Sequence, residues 1–472
     1  MMKNIVHIFC DELRPDALGC YGNPFFCADT PNIDEIAQHG TLFENCMCNS
    51  PVCVPSRASI LTGLYPEENG VYDNEGAYPQ FSTPGTFITF PEVLAQNGYL
   101  TASFGKTHIP GDMHPFQFEN QEGSDMTLGL SREQIRSLDK VSPKNFGFNA
   151  ASLYPEELPY QPEKVVSNAL EWMKEHENEP YYVRISILQP HTPIIVKRGY
   201  ESVYEDSALD GHLPDIEHLS NFEKAFAQAV GIESITPEDR RKMKIYYYGM
   251  VKWIDDEVGK VLKYLKESGL LDNTIIAVGA DHGALRGECR GLGKHIFHRA
   301  SQAVPLIISA DWKDEAVRED GLCSNIDFAR TILETAGVQV PDQFHGVNLL
   351  KDTLPGEVFS TKGFGDIGCY AFPNRRLGML SETEYWPRRT CLRTGNYRLD
   401  MNIRINGEYC TPEQEDIFFT DCSLYPDENM NLADRPEYSQ IVREMREKIL
   451  AHAKGSIEVP ASMIGEPVRK TG

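Results

Sequence analysis

The stretch "TPEDRRKMKIYYYGMVKWIDDEVGKVLKYLKESG" (236–269), followed by "TIIAV" (274–278), joins a long helical pattern to a short apolar strand. Thr236 can cap the helix, Pro237 suits its first position, and Gly269 ends it. The strand segment is apolar and rich in β-branched residues, which is typical of a strand buried on both faces. This order of helix and buried strand predicts a mainly parallel sheet covered by helices.

The same alternation recurs along the chain. Further strand segments are "IVHIF" (5–9), "YLTASF" (99–104), "YYVRISIL" (181–188) and "AVPLIIS" (303–309). Helical patterns accompany them in "FPEVLAQNG" (90–98), "PEKVVSNALEWMKEH" (162–176) and "IDFARTILETAG" (326–337). We therefore predict an α/β fold in which a large mixed, mostly parallel sheet lies between helices.

The pattern changes after about residue 355. The segment "CLRTGNYRLDMNIRINGEYC" (391–410) alternates like antiparallel strands joined by Gly-Asn and Asn-Gly turns, and "PEYSQIVREMREKILAHAKG" (436–455) predicts a helix. We predict an α/β domain over residues 1–355 and a smaller C-terminal subdomain, an antiparallel sheet plus a helix, over 356–472. Residues 112–160 and 200–235 are polar and are predicted to be long irregular loops with a functional role.

Charge and composition limit the possible partners. The formal charge of −24 over 472 residues argues against nucleic acid or an anionic membrane surface as a general partner. No run approaches the roughly 18–20 apolar residues of a membrane span. The N-terminus reads as a strand rather than a secretory signal, so we predict a cytoplasmic protein. Six of twelve cysteines fall in the first 53 residues without metal-ligand spacing, which predicts neither a disulfide framework nor a cysteine zinc site.

Polar residues follow four of the predicted strands directly. They are Asp11, Glu12, Lys106, His108, His191, Asp281 and His282. In open α/β sheets, ligands bind beyond the carboxyl ends of the strands. Each residue alone has a structural explanation, such as a solvated acid, a turn or a core histidine. Together they offer carboxylates for a cation and basic groups for an oxyanion, which favours an active site.

A further segment, "SPVCVPSRASILTG" (50–63), places Cys53 at the start of a short helix. Pro55 suits the first turn, and Arg57 lies one turn beyond the cysteine on the same side. A helix N-terminus and a guanidinium group both favour negative charge, so a nucleophile here would face a tetrahedral oxyanion. The alternative is a buried structural cysteine.

These motifs resemble those of a known family. "CVPSRASILTG" (53–63) matches the pattern C-x-P-S-R-x-x-x-L-T-G, and "GYLTASFGKTH" (98–108) is similar to a second signature of the formylglycine-dependent sulfatases, in the alkaline phosphatase superfamily. The resemblance runs from residue 4 to about 440, through "TPNIDEIAQHGTLFENC", "QPHTP", "GADHG", "GLGKH", "AVPLII" and "FFTDCSLYPDENMNLAD". It implies that residues 1–355 form a sulfatase-type catalytic domain.

The resemblance implies a mechanism. Cys53 would be oxidised by a separate formylglycine-generating enzyme to Cα-formylglycine, whose hydrate attacks sulfur with one hydroxyl and expels sulfate through the other. The matching catalytic positions are Cys53, Arg57, Lys106, His108, His191 and Lys294. Arg57 and Lys106 would steady the hydrate, and His108 would handle its proton. His191 and Lys294 would hold the sulfate and assist the leaving oxygen.

The resemblance also implies a divalent metal. The matching ligands are Asp11, Glu12, Asp281 and His282, with the residue-53 side chain completing the shell. Ca²⁺ is the usual ion of the family, and Mg²⁺, Mn²⁺ and Zn²⁺ stay open because a histidine nitrogen is present. Most members have Asp or Gln in place of Glu12, and many have Asn in place of His282.

We therefore predict a sulfatase acting on a small anionic sulfate ester. The start "DELRPDALGCYG" (11–22) is similar to iduronate-2-sulfatase-type sequences, which favours a sulfated sugar. A phosphonate monoester or phosphodiester hydrolase of the same superfamily is the alternative, since its members share the cysteine and the Asp-His pair. A third hypothesis is a binding protein in which Cys53 stays a thiol. The sequence predicts no oligomeric state.

Overall fold

The computed structural model describes residues 2–22, 29–74, 78–81, 86–111, 113–124, 130–131, 133–134, 151–156, 160–205, 207–363, 365, 387–405 and 407–457. Most of the predicted loop 112–160 lies outside these ranges, as do Cys27 and Cys369.

The described helices and strands follow the predicted alternation. The helices are α1 (Pro31–Gln38), α2 (Cys53–Thr62), α3 (Pro66–Asn69), α4 (Phe90–Gln96), α5 (Gln161–Glu175), α6 (Asn221–Val230), α7 (Pro237–Glu267), α8 (Arg299–Gln302), α9 (Ile326–Thr335) and α10 (Ser439–Ala453). The strands are β1 (Asn4–Asp11), β2 (Thr41–Met47), β3 (Leu100–Gly105), β4 (Phe118–Asn120), β5 (Ala151–Leu153), β6 (Tyr181–Pro190), β7 (Ile194–Val196), β8 (Thr274–Ala280), β9 (Leu285–Arg286), β10 (Leu292–Gly293), β11 (Leu306–Ser309), β12 (Val317–Ser324), β13 (Glu357–Lys362), β14 (Arg388–Thr394), β15 (Tyr397–Ile405), β16 (Glu408–Tyr409) and β17 (Phe418–Asp421).

An eight-stranded sheet forms the centre of the protein, in the order β12-β2-β11-β8-β1-β6-β3-β4. Strand β1 pairs in parallel with β6 and β8, and β3 pairs in parallel with β6. Strand β11 runs antiparallel to both of its neighbours, β8 and β2. The prediction of a mixed, mostly parallel sheet is confirmed. The parallel neighbours β1, β3, β6 and β8 therefore end at one edge of the sheet.

Helices cover both faces of this sheet. Helices α1 and α5 each pack against α7, and α2, α4 and α9 form a second group. Strands β1 and β8 are buried at every position, as expected for strands between two helical layers. On β1, His7 packs against Phe328 of α9, which leaves alternate residues such as Val6 for the opposite layer.

The C-terminal region forms a second, antiparallel sheet in the order β13-β14-β15-β16, with β17 paired to β15. Helix α10 packs on β14 and β15. Leu399 and Met401 of β15 and Ile449 of α10 are buried in a separate apolar cluster there. The predicted antiparallel subdomain is confirmed, whereas its boundary at residue 355 stays a prediction.

A buried ionic network ties this sheet to the central domain. The carboxylate of Glu428 accepts two hydrogen bonds from Arg393, at 2.7 and 2.8 Å, and one from Arg398 at 3.1 Å. Arg393 also donates to the carbonyl oxygen of Phe297 at 2.9 Å. Glu428 therefore has a structural role, because its arginine partner Arg393 also binds the segment that precedes α8.

Helix α6 corrects the prediction that residues 200–235 are irregular. Ser220 caps it by accepting a hydrogen bond from the Glu223 amide, and Glu223 reaches back to the Ser220 amide at 3.2 Å. This Ser-x-x-Glu capping box was present in the sequence, inside a polar segment that masked it. Among the described residues, no helix is sufficiently long and apolar to span a membrane.

Candidate active site

The carboxyl ends of β1, β3, β6 and β8 meet at one edge of the sheet and carry predicted site residues. Asp11 is the last residue of β1, Lys106 follows β3, His191 follows β6, and Asp281 follows β8. Because these strands are parallel neighbours, residues distant in the sequence converge there. The residues are buried, with Asp11 and Asp281 at 0% exposure.

Helix α2 brings Cys53 to the same edge. The helix begins at Cys53, after the extended Val52, and ends at Gly63, whose φ of 66° suits glycine. The amide of Val54, in the first turn, donates to the side chain of Asn74 at 2.9 Å. Cys53 is 1% exposed, so its thiol lies inside the protein.

Arg57 joins the strand ends beneath Cys53. Its Nε donates to Asp281 Oδ2 at 2.8 Å, and its Nη2 donates to Asp11 Oδ2 at 3.0 Å. Its Nη1 donates to the carbonyl oxygens of Lys106 and Thr107, at 2.8 and 3.0 Å. One guanidinium group thus fixes two carboxylates and the turn after β3. No shorter side chain would reach all of them with this planar geometry.

The two carboxylates turn their other oxygens toward Cys53. Asp11 Oδ1 lies 3.8 Å from Cys53 Sγ and 3.8 Å from His282 Nε2. Asp281 Oδ1 lies 3.8 Å from His282 Nε2, which is 3.3 Å from Sγ. His282 Nδ1 faces the carbonyl oxygen of Gly283 at 2.8 Å, so Nδ1 carries the proton and the Nε2 lone pair points inward. Four donor atoms therefore face one point.

These four residues fit a divalent cation by their chemistry. Asp11, Cys53, Asp281 and His282 place one ligand atom each within 4.8 Å of one another, and all four are buried. Two carboxylates compensate the charge of such an ion, and their outer oxygens are held by Arg57. Carboxylate oxygens suit Ca²⁺ and Mg²⁺, while the imidazole nitrogen is also compatible with Mn²⁺ or Zn²⁺.

Lys294 and His191 lie on the other side of Cys53. Lys294 Nζ is 2.8 Å from Cys53 Sγ and 3.1 Å from His191 Nε2. Both are buried, and Glu12 lies 3.4 Å from each of their nitrogens. Burial acts to raise the pKa of Glu12, but His191 and Lys294 outweigh it and hold that pKa at about 2. This side of the pocket can bind the oxygens of a tetrahedral anion.

Two lysines beside Cys53 favour a negative charge on its sulfur atom. Burial acts to raise the pKa of the Cys53 thiol, but Lys106 and Lys294 outweigh it and hold that pKa well below its usual value. Cys10, which is equally buried one residue before Asp11, has its pKa raised by that burial. The structural explanation of Cys53 as an inert core residue therefore fits poorly, because its surroundings stabilise an anion.

His108 lies at the mouth of the pocket. Part of its surface is open to solvent, unlike the other predicted residues, and its φ of 41° is uncommon outside glycine. The protein around the rest of the imidazole desolvates it and lowers the pKa of His108, and a hydrogen bond with Cys53 opposes that shift. A neutral imidazole beside residue 53 can accept a proton from it.

Known protein families contain sequences similar to this chain. The sequence profile of the Sulfatase family matches residues 3–338. The chain belongs to the sulfatase family. A second profile, N-sulphoglucosamine sulphohydrolase, C-terminal, matches residues 287–455 of this sulfatase. The protein is a sulfuric ester hydrolase, as predicted, and the family favours an enzyme over the binding-protein hypothesis.

Relatives and solved structures extend this result. Iduronate 2-sulfatase of Mus musculus is 29% identical over 393 residues, covering 72% of this sulfatase and 69% of the relative. A protein solved with its substrate D-glucosamine-2-N,6-O-disulfate has a TM-score of 0.71 at 21% identity, covering 96% and 98% of the chains. A phosphonate monoester hydrolase from Silicibacter pomeroyi has a TM-score of 0.75 at 21% identity, covering 97% and 96%. Both solved structures have the same fold as this sulfatase.

Two neighbours of the site were missed from the sequence of this sulfatase. Arg286 Nη2 donates to Glu12 Oε2 at 3.0 Å, and the Tyr247 hydroxyl donates to the Glu12 carbonyl oxygen at 2.6 Å. Among the residues that the structure describes, Glu12 stands apart from the four inward-facing donors and forms a second group with Asp11 and His191. Neither Arg286 nor Tyr247 lies in a recognisable motif, so only the fold reveals them.

Proposed function

We propose that this sulfatase hydrolyses the sulfate monoester of a small sugar at the pocket around Cys53. The observation that carries this proposal is the pair of ammonium groups beside one buried side chain. Lys294 Nζ and Lys106 Nζ lie 2.8 and 3.8 Å from Cys53 Sγ. A sulfate oxygen at this position would meet the same groups. The sugar is supported by the names and the bound substrate of the relatives.

We propose that Cys53 is matured to Cα-formylglycine by a separate enzyme that supplies the oxidant. The family resemblance of "CVPSRASILTG" (53–63) and the lowered pKa of the Cys53 thiol support this. The hydrated aldehyde would supply one hydroxyl to attack sulfur and another whose deprotonation expels sulfate. The carboxylates beneath residue 53 and the cations above it would hold such a diol in place.

Asp11, Asp281, His282 and the residue-53 oxygen would hold a divalent cation, which we propose to be Ca²⁺. When bound, the cation supplies Lewis acidity and lowers the pKa of the attacking hydroxyl. Arg57 keeps the two carboxylates apart and oriented, since it bonds the outer oxygen of each. Glu12, predicted from the sequence as a further ligand, has its carboxylate directed toward Arg286, His191 and Lys294.

The remaining residues would act on the sulfate and on protons. Lys294 and His191 are positioned to bind sulfate oxygens, and the protonated member of this pair can donate to the leaving alcohol oxygen. Lys106 adds positive charge on the opposite side, next to Asp11. His108, whose pKa is lowered by desolvation, would accept the proton from the second hydroxyl. Losing one preorganised donor costs about 10²–10³-fold in kcat in comparable sites.

The test compares Cys53→Ala with a matched control, Cys48→Ala. Cys48 is a nearby buried cysteine, and burial raises the pKa of its thiol. Protein from a host with the maturation system is assayed on sulfated mono- and disaccharides, steroid sulfates and aryl sulfates. Cys53→Ala should lose turnover and keep its thermal midpoint, while Cys48→Ala keeps turnover. Full activity in Cys53→Ala would falsify the proposal. Mass spectrometry of the peptide around residue 53 tests maturation separately.

A phosphonate monoester or phosphodiester hydrolase is the second candidate. The fold shared with the Silicibacter pomeroyi enzyme, at a TM-score of 0.75, supports it, and the imidazole of His282 is compatible with both candidates. Sulfate and phosphonate esters present similar tetrahedra that differ in charge, so a cationic pocket accepts both classes. The ratio of kcat/KM for the two ester classes, measured on one preparation, decides between them.

We also propose that the enzyme works in the cytoplasm. The ten cysteines within the described ranges are free, and most are buried, which is typical of a reducing compartment. Fractionation of the native host, with enzyme antibodies as the readout, tests this location.

A further inference from the structure

Arg286 lies behind the pocket and is 3% exposed. Its guanidinium group stacks over the ring of Tyr247, with 4.7 Å from Cζ to the ring centroid. Its Nη1 donates to the carbonyl oxygen of Leu285 at 2.9 Å, and its Nη2 donates to Glu12 Oε2 at 3.0 Å. Among the described residues, its Nε has no hydrogen-bond partner. A buried arginine held by so few bonds has its main electrostatic partner in Glu12.

Glu12 connects Arg286 to the two groups that face the sulfate. Its Oε1 lies 3.4 Å from both His191 Nε2 and Lys294 Nζ, while its Oε2 belongs to Arg286. The backbone of Glu12 has a φ of 64°, a strained value for a glutamate. That conformation is fixed from both sides, because the Glu12 amide donates to Asp281 at 3.3 Å and its carbonyl accepts from Tyr247. The carboxylate is therefore aimed rather than free.

The rear of Arg286 is braced by a second charge pair. The Arg286 amide donates to Glu288 Oε2 at 2.6 Å, and Arg14 Nη1 donates to Glu288 Oε1 at 2.7 Å. The Arg14 amide in turn donates to the Tyr247 hydroxyl at 3.1 Å. These contacts fix the place of Arg286 independently of any substrate.

We propose that Glu12 and Arg286 form a positioning pair that sets Lys294 and His191 for the sulfate, and that Glu12 is not a ligand of the metal. Arg286 holds one carboxylate oxygen so that Glu12 cannot turn fully onto the Lys294 ammonium group, 3.4 Å away. Lys294 then stays beside residue 53, at 2.8 Å. This inference rests on the proposed function of the pocket.

The difference from a ligand role lies in the geometry of the metal donors. Asp11, Cys53, Asp281 and His282 already face one point, whereas Glu12 falls in a second group with Asp11 and His191. Arg286 and Lys294, 3.0 and 3.4 Å from the Glu12 carboxylate, direct it to the sulfate side. Removing the Glu12 charge should therefore disturb the sulfate side of the pocket and leave the metal side intact. If Glu12 ligated the metal, removing its charge would directly change the affinity of the protein for the metal.

The test is a double-mutant cycle on the matured holoenzyme with Glu12→Gln, Arg286→Met and the double variant. Each single variant should lose about 10–100-fold in kcat/KM, the usual effect of a residue that orients a reacting group. The double variant should lose no more than the worse single variant, because both act through the same contact. Arg286→Lys should recover part of the loss. Additive losses, or no loss, would overturn the pair.

The second readout is calcium affinity, measured by calorimetry on chelator-stripped protein with CaCl₂ alone as the probe. All variants should bind Ca²⁺ within about threefold of the wild type. Loss of a ligand should weaken the affinity by more than the roughly 10–100-fold that loss of a ligand's hydrogen-bond partner costs. Parallel loss of calcium affinity in Glu12→Gln would overturn the proposal. The matched control is Arg446→Met, which removes an arginine that donates to the Glu415 carboxylate at 2.6 Å in the C-terminal subdomain and should keep kcat/KM.

The cycle uses whichever ester class the wild type hydrolyses. A wild type inactive on sulfate esters but active on phosphonate esters contradicts the proposed function alone. The proposal of a positioning pair is contradicted only by the kcat/KM values and calcium affinities of the variants. Thermal midpoints of all variants separate a loss of folding from a loss of positioning.

Discussion

Replacing Glu428 with glutamine should loosen the C-terminal sheet. Glu428 is fully buried, and its two oxygens accept hydrogen bonds from Arg393 at 2.7 and 2.8 Å and from Arg398 at 3.1 Å. It also accepts from the amide of Arg299 at 2.9 Å, at the start of α8. Glutamine keeps the shape of the side chain but removes its charge and turns an NH₂ group toward the guanidinium donors. Both arginines then lose an anionic partner in a dry environment.

The size of the effect follows from that burial. Breaking a buried ion pair on one side costs about 3–5 kcal/mol. Because about 1.4 kcal/mol corresponds to a tenfold change, the open form of the sheet should become roughly a hundred- to several-thousand-fold more populated. Hydrogen exchange of peptides covering β14 and β15, followed by mass spectrometry, measures this opening directly.

The control is Glu408→Gln on β16, where the glutamate is exposed. Substitutions at such surface positions change stability by about 0.5 kcal/mol or less, so its exchange should match the wild type. Exchange in Glu428→Gln within about twofold of the wild type would refute the reasoning, because that change corresponds to well under 1 kcal/mol.

Three further predictions concern pH, backbone and metal. Burial acts to raise the pKa of Glu428, but its arginine partners hold that pKa below the usual 4.5, so the stability that the ionised Glu428 contributes is present above pH 4.5 and is lost as the pH falls. The thermal midpoints of the wild type and Glu428→Gln should therefore converge in acid. A difference between the midpoints that stays constant with pH would contradict this. Gly105→Ala should abolish activity and stability, because the new Cβ would lie 2.1 Å from the Ser186 carbonyl oxygen. In Gly98→Ala the nearest atom is 3.9 Å from the new Cβ, so thermal unfolding should show a cost of only about 1–3 kcal/mol from backbone strain. Equal losses of stability in the two variants would contradict this prediction. Chelation should remove activity and lower the thermal midpoint, and Ca²⁺ at a hundred times its Kd should restore about 2.7 kcal/mol; a midpoint insensitive to chelator would argue against a metal in the pocket.

The fold was predictable where strands are buried on both faces. Strands β1, β3, β6 and β8 are near-continuous apolar runs, so their type and order could be predicted from the sequence with small errors at their ends. Strands β2 and β12 were missed, since "VREDGLCS" (317–324) is a polar edge strand exposed over its first half. Its pairing with β2 depends on contacts that the local pattern does not carry.

The candidate site was predictable to the same extent, for a related reason. Because parallel strands end at one edge of a sheet, the sequence alone predicts that Asp11, Lys106, His191 and Asp281 lie together. The direction of the Glu12 carboxylate was not predictable in this way. It depends on Arg286, 274 residues away in sequence, and on the side-chain rotamers that the packed core allows. Which oxygens face a cation is a property of three-dimensional packing.

The depth of Cys53 sets an order of events during synthesis. With 1% of its surface exposed, the thiol is sealed once α2 docks on the strand ends, and an enzyme the size of a protein has no path to it. The proposed maturation by a separate enzyme would therefore have to precede closure of the native fold. On that proposal, a chain that folds before it is modified stays inert, and the yield of working enzyme depends on the relative rates of folding and modification.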